Sequence, residues 1–374
     1  MAYDDVAFGR RAGQDDDGGR DRLGVHLGWE VVLALGAAAL GFLLYRLDPA
    51  SLRRPALDTL LLTATAIGLL TLGAGLTLRA GVPNLAVGPI ALAASLHFAE
   101  NGDRGLIKAA APALVIAAGG AVVIGVLILA LHVPGWVATL GAGMGVIVYD
   151  QLRTAPVGVQ GGYDPSNQAF FLFGAFALMA VVGGAVGVLD PVRRRLGAMR
   201  QATDPARRRT QVALPVLGSL IVSSVFAVVA GILLAAQSAR PIVPGTGLEW
   251  TGIALGTALV AGTSAYGRRG GVFGTLLAVV AMTLFLDYAD RRGFNIALFA
   301  TAACTIGGGL IVTRLVETYG RTLTVADAAP DWEPEAPADT ATWRADLPET
   351  WTGAGVGAQR RGERWDEGPW GSGR

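Results

Sequence analysis

Ten apolar runs, none with a charged residue in its middle, fill most of the stretch from residue 31 to residue 312 of this 374-residue chain. They are Val31–Tyr45, Leu60–Leu78, Val82–Ala99, Ala109–Leu131, Val133–Tyr149, Ala169–Leu189, Val212–Ala236, Trp250–Tyr266, Val272–Leu286 and Ile296–Val312. A helix needs about 20 apolar residues to cross a bilayer core of about 30 Å. In hydrocarbon every backbone polar group needs an internal partner, so the runs are expected to be helices. The expected fold class is an all-α polytopic membrane protein of about ten transmembrane helices, some broken or re-entrant. Ala109–Tyr149 is nearly continuous; His132-Val-Pro-Gly135 splits it into two antiparallel helices, because Pro-Gly is a turn signal. Val272–Leu286 is short, as a tilted, broken or half-spanning helix would be.

Only 16% of residues are charged, against roughly a quarter in a soluble domain of this size. The net charge of +1 argues neither for nor against nucleic acid. The charges gather at the ends. Residues 1–28, with Asp15-Asp16-Asp17, lack the basic leader of a secretory signal and are expected to be a disordered cytoplasmic tail. Residues 29–315 form the expected membrane domain. Residues 316–374 are rich in Pro, Gly, Asp and Glu, carry Trp332, Trp343, Trp351, Trp365 and Trp370, and are expected to be a second disordered cytoplasmic tail. Trp29, Trp136 and Trp250 fall near span ends, where an interfacial aromatic belt would place them. Cys304, the one cysteine, excludes an intramolecular disulfide and a cysteine zinc site, and reads as a small core residue.

Orientation rests on one segment. Seven arginines lie between Arg193 and Arg209, in the loop 190–211 that separates two of the runs. Arginine-rich loops stay on the cytoplasmic side of a membrane. With this loop inside, ten spans place both termini inside as well. The other loops nearly balance: Arg79, Arg268 and Arg269 fall inside, and Arg46, Arg53, Arg54, Arg104, Lys108, Arg153, Arg240, Arg291 and Arg292 outside.

No catalytic constellation is visible. His26, His97 and His132 stand in no metal-ligand spacing, and no Gly-Lys-Ser/Thr phosphate loop is present. No metal or cofactor is expected, and any ATP would be bound by a separate subunit. Spans without charge suit a neutral solute better than an ion, and lack the ionisable residue that proton-coupled transporters keep. Three glycine-centred segments interrupt the apolar pattern: Gly81-Val-Pro-Asn-Leu-Ala-Val-Gly88, Val133-Pro-Gly-Trp-Val-Ala-Thr-Leu-Gly141, and Gly245-Thr-Gly-Leu-Glu249 with Ala261-Gly-Thr-Ser-Ala-Tyr-Gly267 and Gly274-Thr275. Each interior Gly costs a helix about 1 kcal/mol relative to Ala, so breaks are expected. Asn84 has two readings, a cap for freed backbone groups or a polar breach lining a pathway. The candidates for a substrate path are Asn84, Thr139, Thr246, Thr263 and Ser264.

These segments, in this order, resemble the permease subunits of bacterial ABC importers of the ribose and monosaccharide type, relatives of the branched-chain amino-acid permeases. The second segment is similar to the family's Val-Pro-Ser-Phe-Ile-Ala-Thr-Leu-Gly at Val133, Pro134, Ala138, Thr139, Leu140 and Gly141. The third matches at Gly245, Thr246, Gly247, Glu249, Gly262, Thr263, Ser264, Gly267, Gly274 and Thr275. In the first, Asn84 and Ala86 replace an acid and a serine. The resemblance covers roughly residues 55–315. It implies a pore of two such subunits, cytoplasmic ATPase subunits as the motor, an extracellular solute-binding protein for delivery, and residence in the bacterial plasma membrane. It also implies an ATPase-coupling role for the loop holding Arg193, Arg194, Arg195, Arg200, Asp204, Arg207, Arg208 and Arg209. There the family's Gly-Gly-Asn element is missing. A diverged ATPase, a more typical partner permease, or loss of transport would each accommodate that. The alternatives to sugar import are a branched-chain amino-acid or nucleoside permease, a secondary transporter or channel, and a non-transporting scaffold.

Overall fold

The protein, as a computed structural model, is described for residues 23–189, 192, 213–264 and 272–320. Those residues hold ten α-helices: α1 (Leu23–Leu47), α2 (Ala56–Arg79), α3 (Val87–Asn101), α4 (Leu106–Leu131), α5 (Gly135–Gln151), α6 (Ala169–Val188), α7 (Ala213–Ala236), α8 (Leu248–Val260), α9 (Gly274–Arg291) and α10 (Leu298–Gly320). One isolated antiparallel bridge, Val157 with Ile242, is the only β pairing among the described residues. Each apolar run of the sequence holds one helix. Six of them, α1, α2, α4, α6, α7 and α10, are long and apolar enough to cross a membrane. The others, α3, α5, α8 and α9, have 15, 17, 13 and 18 residues.

Helix ends alternate between two faces. At the first face Arg291 pairs with Asp48, Gln160 N–H donates to Ala99 O, and Val157 bridges to Ile242. At the second, Gly135 abuts Val82, Gly184 abuts Val272, and Trp29 reaches Val260. The centre is the pair α2 and α7, each with 61% of its apolar stretch buried, against 17% for α4. Small residues bring the backbones together, as they must where lipid gives no hydrophobic drive between helices. A methyl group on Gly231 of α7 would lie 2.1 Å from Ala91 O of α3, and one on Gly256 of α8 would lie 2.5 Å from Thr305 Oγ1 of α10.

Two helices end on the same glycine device. After α2, Gly81 has φ 73°, and Val82 N–H donates to Thr77 O at 3.0 Å. After α8, Gly262 has φ 88°, and Thr263 N–H donates to Ala258 O at 3.1 Å. A left-handed residue at this position turns the chain and satisfies the last carbonyls, and glycine adopts it without a Cβ penalty.

The structure shifts several sequence boundaries. Helix α1 starts at Leu23, inside the expected tail, because Trp29 and Glu30 are held in tertiary contacts that need a helix. Helix α10 continues to Gly320, past residue 315. The short run at 272–286 is an unbroken helix as far as Arg291, whereas α8 stops at Val260. Cys304 is exposed, since α10 packs on α8 through Ala302, Thr305 and Gly309. Trp29 and Trp250 are half-buried and packed; Trp136 remains mostly exposed. The arginine loop from Arg193 to Arg209, Arg268 and Arg269, and the carboxy-terminal tail beyond Gly320 lie outside the described residues.

Candidate functional site at the helix breaks

Between α2 and α3 the chain runs non-helically from Gly81 to Ala86, and Asn84 is its pivot. Asn84 is 2% exposed. Its Nδ2 donates to Ser223 Oγ at 3.2 Å and Ser224 Oγ at 3.5 Å, both in the middle of α7. Its Oδ1 accepts from Ala86 N–H at 3.1 Å, and its own N–H donates to Thr77 Oγ1 at 3.2 Å. Asn84 thus serves one freed backbone N–H, that of Ala86, through its Oδ1, and ties the break to α7 through its Nδ2.

Thr139 of α5 closes the same break from a second side. Its Oγ1 lies 2.8 Å from Pro83 O and 3.0 Å from Gly135 O, and accepts from Leu85 N–H at 3.3 Å. Gly135 and Gly143 let α5 come this near; a methyl on Gly135 would meet Val82 Cα at 2.9 Å. Thr251, in the first turn of α8, closes a third side. Its Oγ1 accepts from Gly88 N–H at 3.0 Å and donates to Leu85 O at 3.2 Å.

Helices α3 and α8 are short and begin at this junction. A methyl on Gly88 would sit 2.0 Å from Gly247 O, and one on Gly247 would sit 2.6 Å from Gly88 O. Two amino-terminal helix ends, each the positive end of its dipole, thus meet backbone to backbone. Thirteen residues of α8 rise only about 20 Å, so its start lies deep between the two faces. Ser223, near the centre of the 24-residue α7, fixes the same depth.

The buried side chains bonded at the junction are amide and hydroxyl groups, and Glu249 stands half-buried beside them in the first turn of α8. Asn84, Thr139, Ser223, Ser224 and Thr251 are each at most 5% exposed and bonded inside the protein. In this arrangement they seal the middle of the helix array. They could bond a neutral polar molecule only by exchanging partners. Beside the junction a cleft of about 170 Å³ lies between α3, α7 and α8, lined by Leu92, Ser95, Leu234, Ser238, Ile242 and Trp250.

Of the residues singled out in the sequence, Asn84 and Thr139 meet here. Thr246 is adjacent, half-buried just before α8, where its Oγ1 accepts from Leu248 N–H at 3.4 Å. Thr263 and Ser264 are buried at the far end of α8, towards the second face, and do not join the junction. Ser223, Ser224, Thr251 and Thr77 were not singled out. A Ser-Ser pair in the centre of an otherwise apolar run was the available signal. Among the described residues no group of three or more His, Cys, Asp or Glu side chains could hold a metal. Comparison with known protein families, curated proteins and solved structures finds no match to this chain. The class defined is a helical protein with six helices long and apolar enough to cross a membrane and a buried junction of amide and hydroxyl groups among them.

Proposed function

We propose that the chain is the membrane permease subunit of an ATP-driven importer for a sugar or similar neutral solute. The observation that supports this reading is the meeting of segments 81–88 and 133–141 with Gly247 of the first part of the third segment and Thr251 of α8 at one buried junction, which the described residues of the second part, 261–264 and 272–275, do not join. A solute path through the array must cross it, and an uncharged set of amide and hydroxyl groups suits hydroxylated solutes. On this reading the first face is extracellular and receives solute from a binding protein, the cleft beside Trp250 leads inward, and the path opens when Gly88 and Gly247 separate. The second face is cytoplasmic, and the arginine loop 190–211 engages the ATPase subunits. The test is purification of the chain with its membrane partners in mild detergent, followed by ATP-driven uptake in proteoliposomes. Co-purification of an ATPase and nucleotide-dependent uptake are expected. Solute flux through this chain alone would favour a secondary transporter or channel. Neither flux nor an associated ATPase would favour a scaffold.

A further inference from the structure

At the first face, where α3 and α5 end, the polar groups are of another kind. The buried residues of α5 are Gly135, Thr139, Gly143, Ile147 and Asp150, a stripe on one side of the helix. The stripe meets α3 and the break before it through Thr139 and Gly143 at its start. Beyond its end, Arg153 grips Glu100 of α3 through two hydrogen bonds, Nε to Oε1 and Nη2 to Oε2, the latter at 2.7 Å. Asp150 sits one turn before Arg153, and His97 sits one turn before Glu100.

Asp150 is fully buried, and neither carboxyl oxygen has a hydrogen-bond partner among the described residues. His97 Nε2 is likewise buried without a partner. Among the described residues the cation that acts on Asp150, Arg153, is committed: it holds Glu100, and its Nη2 also donates to Tyr149 Oη at 3.0 Å. The remaining charged residues nearby, Asp103 and Arg104 after α3 and Lys108 on α4, are exposed. An ionised carboxylate without solvent, donor or counter-ion is worth several kcal/mol of penalty, and the side chain escapes it by keeping its proton.

We propose that Asp150 is a proton-binding site, with Arg153 as the switch that reports its occupancy. With the proton on, Asp150 is neutral and Arg153 stays on Glu100, fastening the ends of α3 and α5. When the O–H bond breaks and the proton passes to water at the first face, the buried carboxylate draws Arg153 from Glu100. The segment after α5, which pairs Val157 with Ile242 beside the cleft, is released from that anchor. Acid therefore holds this corner closed and alkali loosens it. The proposal is independent of the permease reading: it concerns protonation of this chain, whatever the chain transports.

The test is infrared difference spectroscopy of the full chain in nanodiscs, titrated from acid to alkali. Wild type should show a protonated-carboxyl C=O band that fades with rising pH, and Asp150→Asn should lack it. Glu100→Gln removes the competitor for Arg153 and should move the midpoint of the fading band down by about one pH unit, a tenfold loss of proton affinity. A band that persists in Asp150→Asn, or no band at all, overturns the site. A midpoint unmoved in Glu100→Gln overturns the switch, and that variant decides the matter even if Asp150→Asn does not fold.

Discussion

Trp29 and Glu30, neighbours on α1, hold the two sides of one helix break. Trp29 Nε1 donates to Val260 O, the last carbonyl of α8, at 2.7 Å. Glu30 Oε1 accepts from Phe273 N–H at 2.7 Å and Gly274 N–H at 3.1 Å, at the start of α9. The first helix thus supplies the end groups that α8 and α9 cannot supply themselves. A carboxylate is well suited to the positive end of a helix.

Replacing Glu30 with Ala leaves those two N–H groups without a partner. The expected loss is about 2 kcal/mol, at the upper end for a helix cap because the site is buried. Glu30→Gln keeps an acceptor oxygen and should lose less, and Trp29→Phe should lose about 1 kcal/mol for its one hydrogen bond. Thermal unfolding midpoints of the detergent-solubilised variants give the order. Equal midpoints for Ala and Gln would mean that Glu30 does not cap α9.

Asn84 and the two serines predict non-additivity. Its amide has two N–H groups and two hydroxyl acceptors. Ser223→Ala or Ser224→Ala leaves one acceptor that can shift to serve, so each single change should cost about 1 kcal/mol or less. The double change strands both N–H groups of a buried amide and should cost more than the sum, about 3 kcal/mol. A double-mutant cycle measures this. Simple additivity would show that water reaches the junction.

Much of this architecture is legible in the chain, for a physical reason. A helix in lipid must be apolar over its own length, so ten runs mark ten helices, and glycine clusters mark where helices end. Asn84 and Thr139 stood out because they lie in such clusters. Ser223, Ser224 and Thr251 did not, because a hydroxyl inside a helix can bond its own backbone, and only a partner elsewhere in the fold distinguishes it. Asn84 and Ser223 are 139 residues apart. Glu30 and Asp150 fell just beyond the ends of their runs, and the helices extend far enough to bury them. Periodicity finds the face of a helix but not its neighbour.

The meeting of α3 and α8 makes Gly88 intolerant of any side chain. The nearest atoms to an added methyl are backbone, Gly247 O at 2.0 Å and Thr251 N at 2.6 Å, so a rotamer change cannot relieve the clash. Gly88→Ala should destabilise by about 3 kcal/mol or more through forced separation of the two helix starts. Gly75, with nothing within 4 Å of its added methyl, is the control, and Gly75→Ala should be neutral or slightly stabilising. Expression and thermal stability of the two variants, side by side, check the packing at the junction.

The Glu100–Arg153 pair sets an acid limit on stability. Hydrogen bonds from Arg153, the largest influence, hold the Glu100 carboxyl below its ordinary range, with the opposing effect of burial smaller. A carboxyl whose folded-state pKa is depressed binds fewer protons folded than unfolded. Its contribution is therefore complete above the ordinary glutamate value of about 4.3 and is lost as pH falls through the lower, folded value. Glu100 is about one-third exposed, so solvent screening limits the effect to about 1 kcal/mol. At pH values where Asp150 keeps its proton and Arg153 stays on Glu100, the difference in unfolding midpoint between wild type and Glu100→Gln should be constant down to about pH 5 and shrink below about pH 4. A difference that stays constant to the lowest pH at which the protein folds would mean that the carboxylate draws no stability from Arg153.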